Sequence, residues 1–471
     1  LLKEIAGRKS MKVVLMYPRF ETDSNLPLGI AYIAAYLEKN GVSVEVIDRS
    51  FSGRNGFEEE LAQKDPDILG LSVTSVNFED ALAIISHVRA TRPGTRIVLG
   101  GAQATAMAER CYEFTDPDAV VIGEGEITML ELVQAFAAGR SLGGVKGIVY
   151  RENGRVAMTE PRPYMENLDM LPFPAREKFP LDSYLLTQHG RISWAVAAPA
   201  VTMLSSRGCP FRCTYCSSHR QLGRKVRFRS VENIIAEVDY LVRTCAIKGL
   251  YFWDDTFVLD KKRVLAVCEG IKKYNLVWYC QSRVDTADEE MMTALRDAGC
   301  RTLSFGVESG SQRILDNYLK KGITLDQVRL TTRLAHRLGF LVHCSFMIGT
   351  PGEKREDIEA TIRFAKEIDP DVIEFNVTTP YFGTEMRDII EREGTLLDTR
   401  LFGLNLKNKS AFSTPDLTPE LVSRMFKKAV RTFYLRPGYI INHIRSIRSW
   451  SDLRNKIHGL SILANNLRWG R

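Results

Sequence analysis

The chain alternates short apolar strands with helices, and it does so twice. Residues 12–17, 42–48, 67–73, 96–99 and 118–122 are apolar runs suited to buried strands. Residues 28–40 and 78–91, and the stretch that follows Glu126, carry apolar positions at helical spacing. Parallel strands need crossovers of this length, usually helices. Residues 11–145 are therefore expected to form a doubly wound, Rossmann-like α/β domain. Such a domain takes its ligand at the carboxyl ends of the strands.

A hairpin is expected over residues 147–158, with its turn at Asn153-Gly154. It opens a connecting segment, residues 146–195, that holds Pro161, Pro163, Pro172, Pro174 and Pro180. The second alternation begins near Val201, with strands expected at 201–205, 249–253, 277–281, 302–306, 342–348 and 372–378. Six such units without a glycine-rich dinucleotide turn point to a partial (β/α)6 barrel over residues 196–401. Active residues then lie at the strand C-termini. Residues 402–471 read as a helical, basic C-terminal region.

Of the nine cysteines, Cys111, Cys245, Cys268, Cys280, Cys300 and Cys344 sit in apolar or helical settings and are expected to be small core thiols. The other three form Cys209-Pro210-Phe211-Arg212-Cys213-Thr214-Tyr215-Cys216, a C-x3-C-x2-C loop directly after the first barrel strand. Three thiolates on one short loop suit three corners of a cubane iron–sulfur cluster and leave one iron open. Zinc is the competing reading, with His219 as its fourth ligand, although structural zinc wants a closed set of four.

This loop resembles the cysteine motif of the radical S-adenosylmethionine (SAM) superfamily, and the aromatic Tyr215 before the third cysteine matches as well. The resemblance implies a 4Fe-4S cluster on the catalytic Cys209, Cys213 and Cys216, with SAM chelating the open iron. One electron then cleaves the C–S bond of SAM to a 5′-deoxyadenosyl radical. Asp254 and Asp255 stand where the family contacts the SAM amino group. Glu308 and Ser309, in Gly306-Val307-Glu308-Ser309-Gly310, resemble the ribose motif. Gly349 and Gly352 resemble the motif that supports adenine, and Arg283 is placed to pair the SAM carboxylate. Each has a plainer reading: a helix cap for the aspartates, a turn for the glycines, a surface carboxylate for Glu308. Their order after the cysteines is what makes the combination specific.

The first domain resembles the cobalamin-binding domain of the cobalamin-dependent radical SAM subfamily. Gly29, Ser72, Thr74, Gly100, Gly101, Gln103, Glu124 and Gly125 are the implied cobalamin contacts. Glycines permit close approach of a large cofactor, and hydroxyls hold its nucleotide tail. The loop after strand one lacks D-x-H-x-x-G, so no histidine is expected beneath the cobalt. Cobalamin is expected between the domains, with the strand C-termini of both facing each other.

The function this implies is an enzyme that functionalises an unactivated carbon, foremost by C-methylation of a lipid-like or other small molecule. The alternatives are a non-methylating oxidative cyclase on a tetrapyrrole-like substrate, with the layout of the anaerobic magnesium-protoporphyrin monomethyl ester cyclase, and a non-catalytic cobalamin or iron–sulfur sensor. An RNA methylthiotransferase would carry more N-terminal cysteines than Cys111. The implied electron donor is a ferredoxin or flavodoxin.

Charge adds one expectation. From residue 421 onward there are eleven Lys or Arg against Asp452 alone, so the rest of this +7 chain is mildly acidic. Basic residues among Ile, Leu and Trp in the last thirty or so residues are expected to meet an anionic membrane surface. No recognised nucleic-acid module accompanies them, and no nucleic acid is expected. No eighteen-residue apolar run and no apolar h-region occur. The expected location is the cytoplasm, including a peripheral position at the inner membrane face.

Overall fold

The computed structural model describes residues 11–19, 25–51, 56–186, 195–398 and 410–445. Five parallel strands, β1 (Val13–Tyr17), β2 (Val44–Asp48), β3 (Ile68–Ser72), β4 (Arg96–Gly100) and β5 (Ala119–Val121), pair in the order 2-1-3-4-5. Helices α1 (Leu28–Lys39), α2 (Phe57–Lys64), α3 (Phe78–Thr91), α4 (Ala102–Met107) and α5 (Glu126–Ala137) connect them. Along β1, Val13 and Leu15 enter one apolar core while Val14 and Met16 enter the other. Burial on both faces explains why the strands read as continuous apolar runs. Chain order reverses between β1 and β3, and the ligand crevice of a doubly wound sheet lies there.

The hairpin continues this sheet. β6 (Ile148–Glu152) pairs antiparallel with β5, and β7 (Arg155–Met158) pairs antiparallel with β6. Ile148, Val149 and Tyr150 are buried against the free edge of β5. Asn153 at φ 49° and Gly154 at φ 80° form the turn that the Asn-Gly pair predicts.

The second sheet is parallel, with its six strands in the order β8 (Ala200–Met203), β11 (Gly249–Phe252), β12 (Val277–Ser282), β13 (Cys300–Glu308), β14 (Leu341–Ile348) and β15 (Val372–Val377). A two-stranded ribbon, β9 (Ser206–Arg207) with β10 (Arg227–Phe228), stands beside it. After α6 (Leu181–Leu186), the helices are α7 (Ser218–Leu222), α8 (Val231–Cys245), α9 (Lys261–Lys272), α10 (Glu289–Asp297), α11 (Gln312–Asn317), α12 (Leu325–Arg337), α13 (Arg355–Ile368) and α14 (Glu385–Glu393). Ser230, Asp260, Asp288, Thr324 and Thr384 each cap a helix by accepting from the third backbone N–H. Each such cap stabilises by about 1 kcal/mol. The helix-facing side of the sheet is a dense core. Phe252, Phe305 and Phe346 are fully buried there, each stabilising by about 1.5–3 kcal/mol. The opposite, concave side is different: Gln281, Ser304, His343, Ser345, Glu374 and Asn376 are half-exposed on it.

Beyond the barrel, α15 (Pro419–Tyr434) buries Val422, Met425, Phe426, Ala429, Val430 and Phe433 against β14, β15 and α13. Arg436-Pro437-Gly438 ends that helix and also starts α16 (Pro437–Arg445), because proline suits a first helical position. Ile440, Ile441 and Ile444 are exposed on α16. The remaining segment expected to meet a membrane lies outside the described residues. No described helix is long and apolar enough to cross one.

Candidate active site at the facing strand ends

The cysteine loop grows from the ribbon that follows β8. Gly208, at φ 94°, turns the chain out of β9. A Cβ there would stand 2.5 Å from the Lys225 carbonyl oxygen, so only glycine fits. The loop is pinned by hydrogen bonds along its length. Cys209 N–H donates to the Gly223 carbonyl at 3.2 Å. Thr214 Oγ1 donates to the Tyr318 carbonyl at 2.6 Å, and Met386 N–H donates to the Thr214 carbonyl at 2.9 Å. Cys209, Cys213 and Cys216 are half-exposed on this frame.

Burial raises the Cys209 and Cys216 thiols above their ordinary range, Cys216 to about 11, and the charges of Asp255 and the neighbouring cysteines add to it. Three thiolates so close together repel one another, and a bound metal cluster removes that cost. The donor set fits a cubane. It does not build the zinc alternative: His219 turns Nδ1 to the Cys216 carbonyl oxygen at 3.1 Å. Among the described residues no three Cys, His, Asp or Glu side chains are gathered as for a single ion.

Tyr215, Glu308 and Lys321 meet under the loop. Tyr215 OH donates to Glu308 Oε1 at 3.0 Å. Lys321 Nζ lies 3.0 Å from that oxygen and 2.9 Å from the Tyr215 hydroxyl. Burial first, then the Glu308 charge, pushes the Tyr215 phenol well up. Glu308 adopts φ 70°, where β13 slips register against β14. Sequence reading missed Lys321. Lys320 at φ 47° and Gly322 at φ 68° swing it inward, and only the glycine hints at that turn.

The other expected SAM residues divide. Asp254 is fully buried. It accepts from Ser205 N–H at 2.8 Å and Ser205 Oγ at 2.7 Å, and from both the N–H and Oγ of Ser206. It clips β8 to β11 and is neither a helix cap nor open to a ligand. Asp255 is exposed and accepts from Ser218 Oγ at 2.6 Å. Arg283 Nε and Nη2 grip Asp285 at 2.9 and 2.8 Å, and the guanidinium stacks 3.5 Å from the Phe211 ring centre. Ser309 turns away to Thr361 of α13, 3.3 Å off. Gly349 and Gly352 sit at φ 87° and 70°, and a Cβ on Gly352 would overlap the Tyr318 ring. Their backbone shapes a turn closed by Glu353, which accepts from Gly349 N–H at 2.7 Å and Thr350 N–H at 2.9 Å.

The strand ends of the two sheets face each other. α4, which follows β4, packs on α7, which follows the cysteine loop. Arg220 of α7 donates to the Gly383 carbonyl at 3.1 Å, and Gly383 lies against Ala106 of α4. On the N-terminal side Gly101, at φ 92°, packs so closely that a Cβ would stand 2.7 Å from the Val73 carbonyl oxygen and 3.0 Å from Ser72 Oγ. Gly29 is open, with nothing within 4 Å of a Cβ position among the described residues. Ser72 and Gly100 are half-exposed at the same end. Thr74 is held by Asn77, and Gln103 is buried with its amide on Met107.

Glu124 and Gly125 do other work than expected. Glu124 accepts from Arg207 and Arg227 of the barrel ribbon at 2.9 and 2.8 Å, and Arg207 also reaches Glu126 at 2.6 Å. Gly125 makes room for Ile33, 2.7 Å from a Cβ position, where α1 crosses α5. These residues join domains and helices.

Two family models match: the B12 binding domain over residues 24–133 and the radical SAM superfamily over residues 203–365. An uncharacterized methyltransferase, PH0819, of Pyrococcus horikoshii is 36% identical over 93% of this chain and 95% of its own length. The chain belongs to the cobalamin-dependent radical SAM methyltransferase family. The cytidylyl-2-hydroxyethylphosphonate methyltransferase of Streptomyces wedmorensis is a relative at 27% identity, over 82% of this chain and 83% of its own. The fold is shared with the radical SAM methyltransferase TsrM of Kitasatospora setae, at TM-score 0.68 and 20% identity, over 82% of this chain and 78% of that one.

The cofactors of the family are the 4Fe-4S cluster, SAM and cobalamin. When bound, they supply one-electron cleavage of SAM and a carrier for its methyl group. In this family member the chain's own part is positional. The loop 209–216 holds three thiolates on a pinned frame. The Tyr215, Glu308 and Lys321 contacts fix the floor beside them. The Gly101 end of the first sheet is brought toward the same loop by the packing of α4 on α7.

Proposed function

We propose that this family member transfers a methyl group to an unactivated carbon of a small molecule, lipid-like or otherwise. The supporting observation is the apposition of the Gly101 end of the first sheet and the Cys209 loop of the second, through α4 and α7. Radical and methyl transfer both need the reacting atoms about 3–3.5 Å apart, which facing strand ends would serve. The concave barrel face carries half-exposed polar side chains. Ser304 Oγ lies 2.8 Å from His343 Nδ1, and Gln281 donates to the Tyr251 hydroxyl at 3.2 Å, so side chains are present to orient a substrate. The 36% relative is a methyltransferase, which favours methylation over the cyclase reading. A sensor has no use for such a lined barrel face.

The proposal includes a ferredoxin or flavodoxin as electron source and an anionic membrane as a contact for the C-terminal region. The exposed Ile440, Ile441 and Ile444 of α16 support the latter. Flotation with anionic vesicles checks it: binding has to weaken with salt and vanish when the residues after Pro437 are removed.

The enzymatic reading is tested with the full chain, reconstituted anaerobically with iron, sulfide and cobalamin, given SAM and a reductant. It should form 5′-deoxyadenosine and show the brown absorption of a thiolate-bound cluster. Changing Cys209, Cys213 and Cys216 together to alanine should abolish both. A triple variant that keeps its cluster and still cleaves SAM contradicts the assignment.

A further inference from the structure

Residues 209–229 contain six Arg or Lys and no Asp or Glu. Two of the six, Arg227 and Arg229, are buried and neutralised by Glu124 and Glu237. The other four, Arg212, Arg220, Arg224 and Lys225, are exposed. Lys320, half-exposed on the turn beneath Thr214, adds a fifth cation at the same rim. Arg212 stands between the first two cysteines. Arg224 is tied to the loop by a bond from Nη1 to the Phe211 carbonyl at 2.7 Å, and no carboxylate pairs with it among the described residues. Lys225 and Lys320 pair with Glu166 and Glu385, but these pairs lie at the surface and neutralise little in water. Asp255, bonded to Ser218 of α7, is the carboxylate whose charge reaches the thiols. The chain up to residue 420 is net acidic, so this rim is a local reversal of sign.

We infer that the basic rim around the cysteine loop, centred on Arg212, Arg224 and Lys320, is the docking surface for an acidic one-electron carrier protein of the flavodoxin type. The inference rests on the radical SAM reading above, because that chemistry consumes one electron per SAM cleaved. The step at the surface moves no atom: the reduced carrier loses one electron and the cluster on the three cysteines gains it. A positive rim around the group to be reduced steers an acidic carrier to it and orients its approach. Such steering raises encounter rates by about 10- to 1,000-fold and fades with salt. Arg212, Arg224 and Lys225 are exposed along the loop, open to a protein contact.

The test uses the full chain with its cluster reconstituted, and the variants Arg212→Glu, Arg224→Glu and Lys320→Glu, singly and combined. Two reductants are compared: reduced flavodoxin, and reduced methyl viologen, a small cation that needs no docking. Stopped-flow oxidation of flavodoxin and formation of 5′-deoxyadenosine are followed at low and high salt. The wild-type rate with flavodoxin should fall with salt, and the triple variant should lose about tenfold or more at low salt. Viologen-driven formation of 5′-deoxyadenosine reports any damage to the loop itself, and the loss with flavodoxin should exceed the loss with viologen by about tenfold. An unchanged flavodoxin rate in the triple variant, or a wild-type rate indifferent to salt, overturns the docking surface. Equal loss with both reductants overturns it as well, because the loop itself is then damaged. Wild-type protein that forms no 5′-deoxyadenosine with viologen overturns the radical SAM reading beneath it.

Discussion

Arg207 Nη1 of the barrel ribbon donates to Glu124 Oε1 of the N-terminal domain at 2.9 Å, two residues before the first cluster cysteine. Both side chains are nearly buried, and Arg207 also pairs with Glu126 at 2.6 Å. Removing Glu124 leaves Arg207 with Glu126 but strips the buried Arg227 of its paired carboxylate, which costs about 3–5 kcal/mol. Glu124→Ala should therefore lower the melting temperature and also loosen the root of the cysteine loop. Iron bound per chain after reconstitution should fall below that of the wild type. A variant that melts early yet loads iron fully would mean that this bracket stabilises the domains without positioning the loop.

Glu353 gives a pH dependence with a definite sign. Its carboxyl is fully buried, Oε1 has no hydrogen-bond partner among the described residues, and burial raises its pKa to about 8. The folded pKa lies above the unfolded one of about 4.3, so the native state holds the proton longer. Stability from this group is thus fullest at low pH and is lost as pH rises from the unfolded value through about 8. Glu353→Gln keeps an acceptor for Gly349 and Thr350 and removes the titration. Thermal melts should show variant and wild type alike near pH 5.5, with the variant progressively the more stable toward pH 8.5. Parallel curves across that range would contradict the assignment.

Two glycines at the cofactor end of the first sheet should respond in opposite ways. Gly101→Ala forces a side chain into φ 92° and within 2.7 Å of Val73, a strain of about 1–3 kcal/mol before any relaxation. It should destabilise the domain and reduce corrinoid retention together. Gly29→Ala meets nothing and lies in α1, so stability should hold or rise by up to about 1 kcal/mol. Loss of co-eluting corrinoid absorbance in Gly29→Ala, at unchanged melting temperature, is the expected sign of a direct contact. Full retention would remove Gly29 from the site.

Much of the architecture was legible because each strand buries one or both faces. The β1 run reads as apolar throughout because both its faces are covered, and β14 alternates His343 and Ser345 with Val342, Cys344 and Phe346. The cysteine spacing was legible for the same reason it functions: three ligands on one loop are close in sequence. What failed to show was pairing at a distance. The partners of Asp254 lie 49 and 48 residues away, and Arg207 lies 83 from Glu124, so neither the clip nor the bracket leaves a local trace. Lys321 in a turn reads as a solvated cation, and its inward direction comes from backbone angles that sequence does not print. The edge pairing of β6 on β5 was hidden because a hairpin signal carries no word of what lies beside it.

The most direct test of methyl transfer follows the label of SAM carrying a trideuterated methyl group. Reconstituted protein with cobalamin and a reductant is supplied with a small-molecule extract from cells that lack the gene. The account predicts 5′-deoxyadenosine and S-adenosylhomocysteine together, and one extract component that gains the trideuteromethyl mass. 5′-Deoxyadenosine formed with neither S-adenosylhomocysteine nor a labelled product would contradict it.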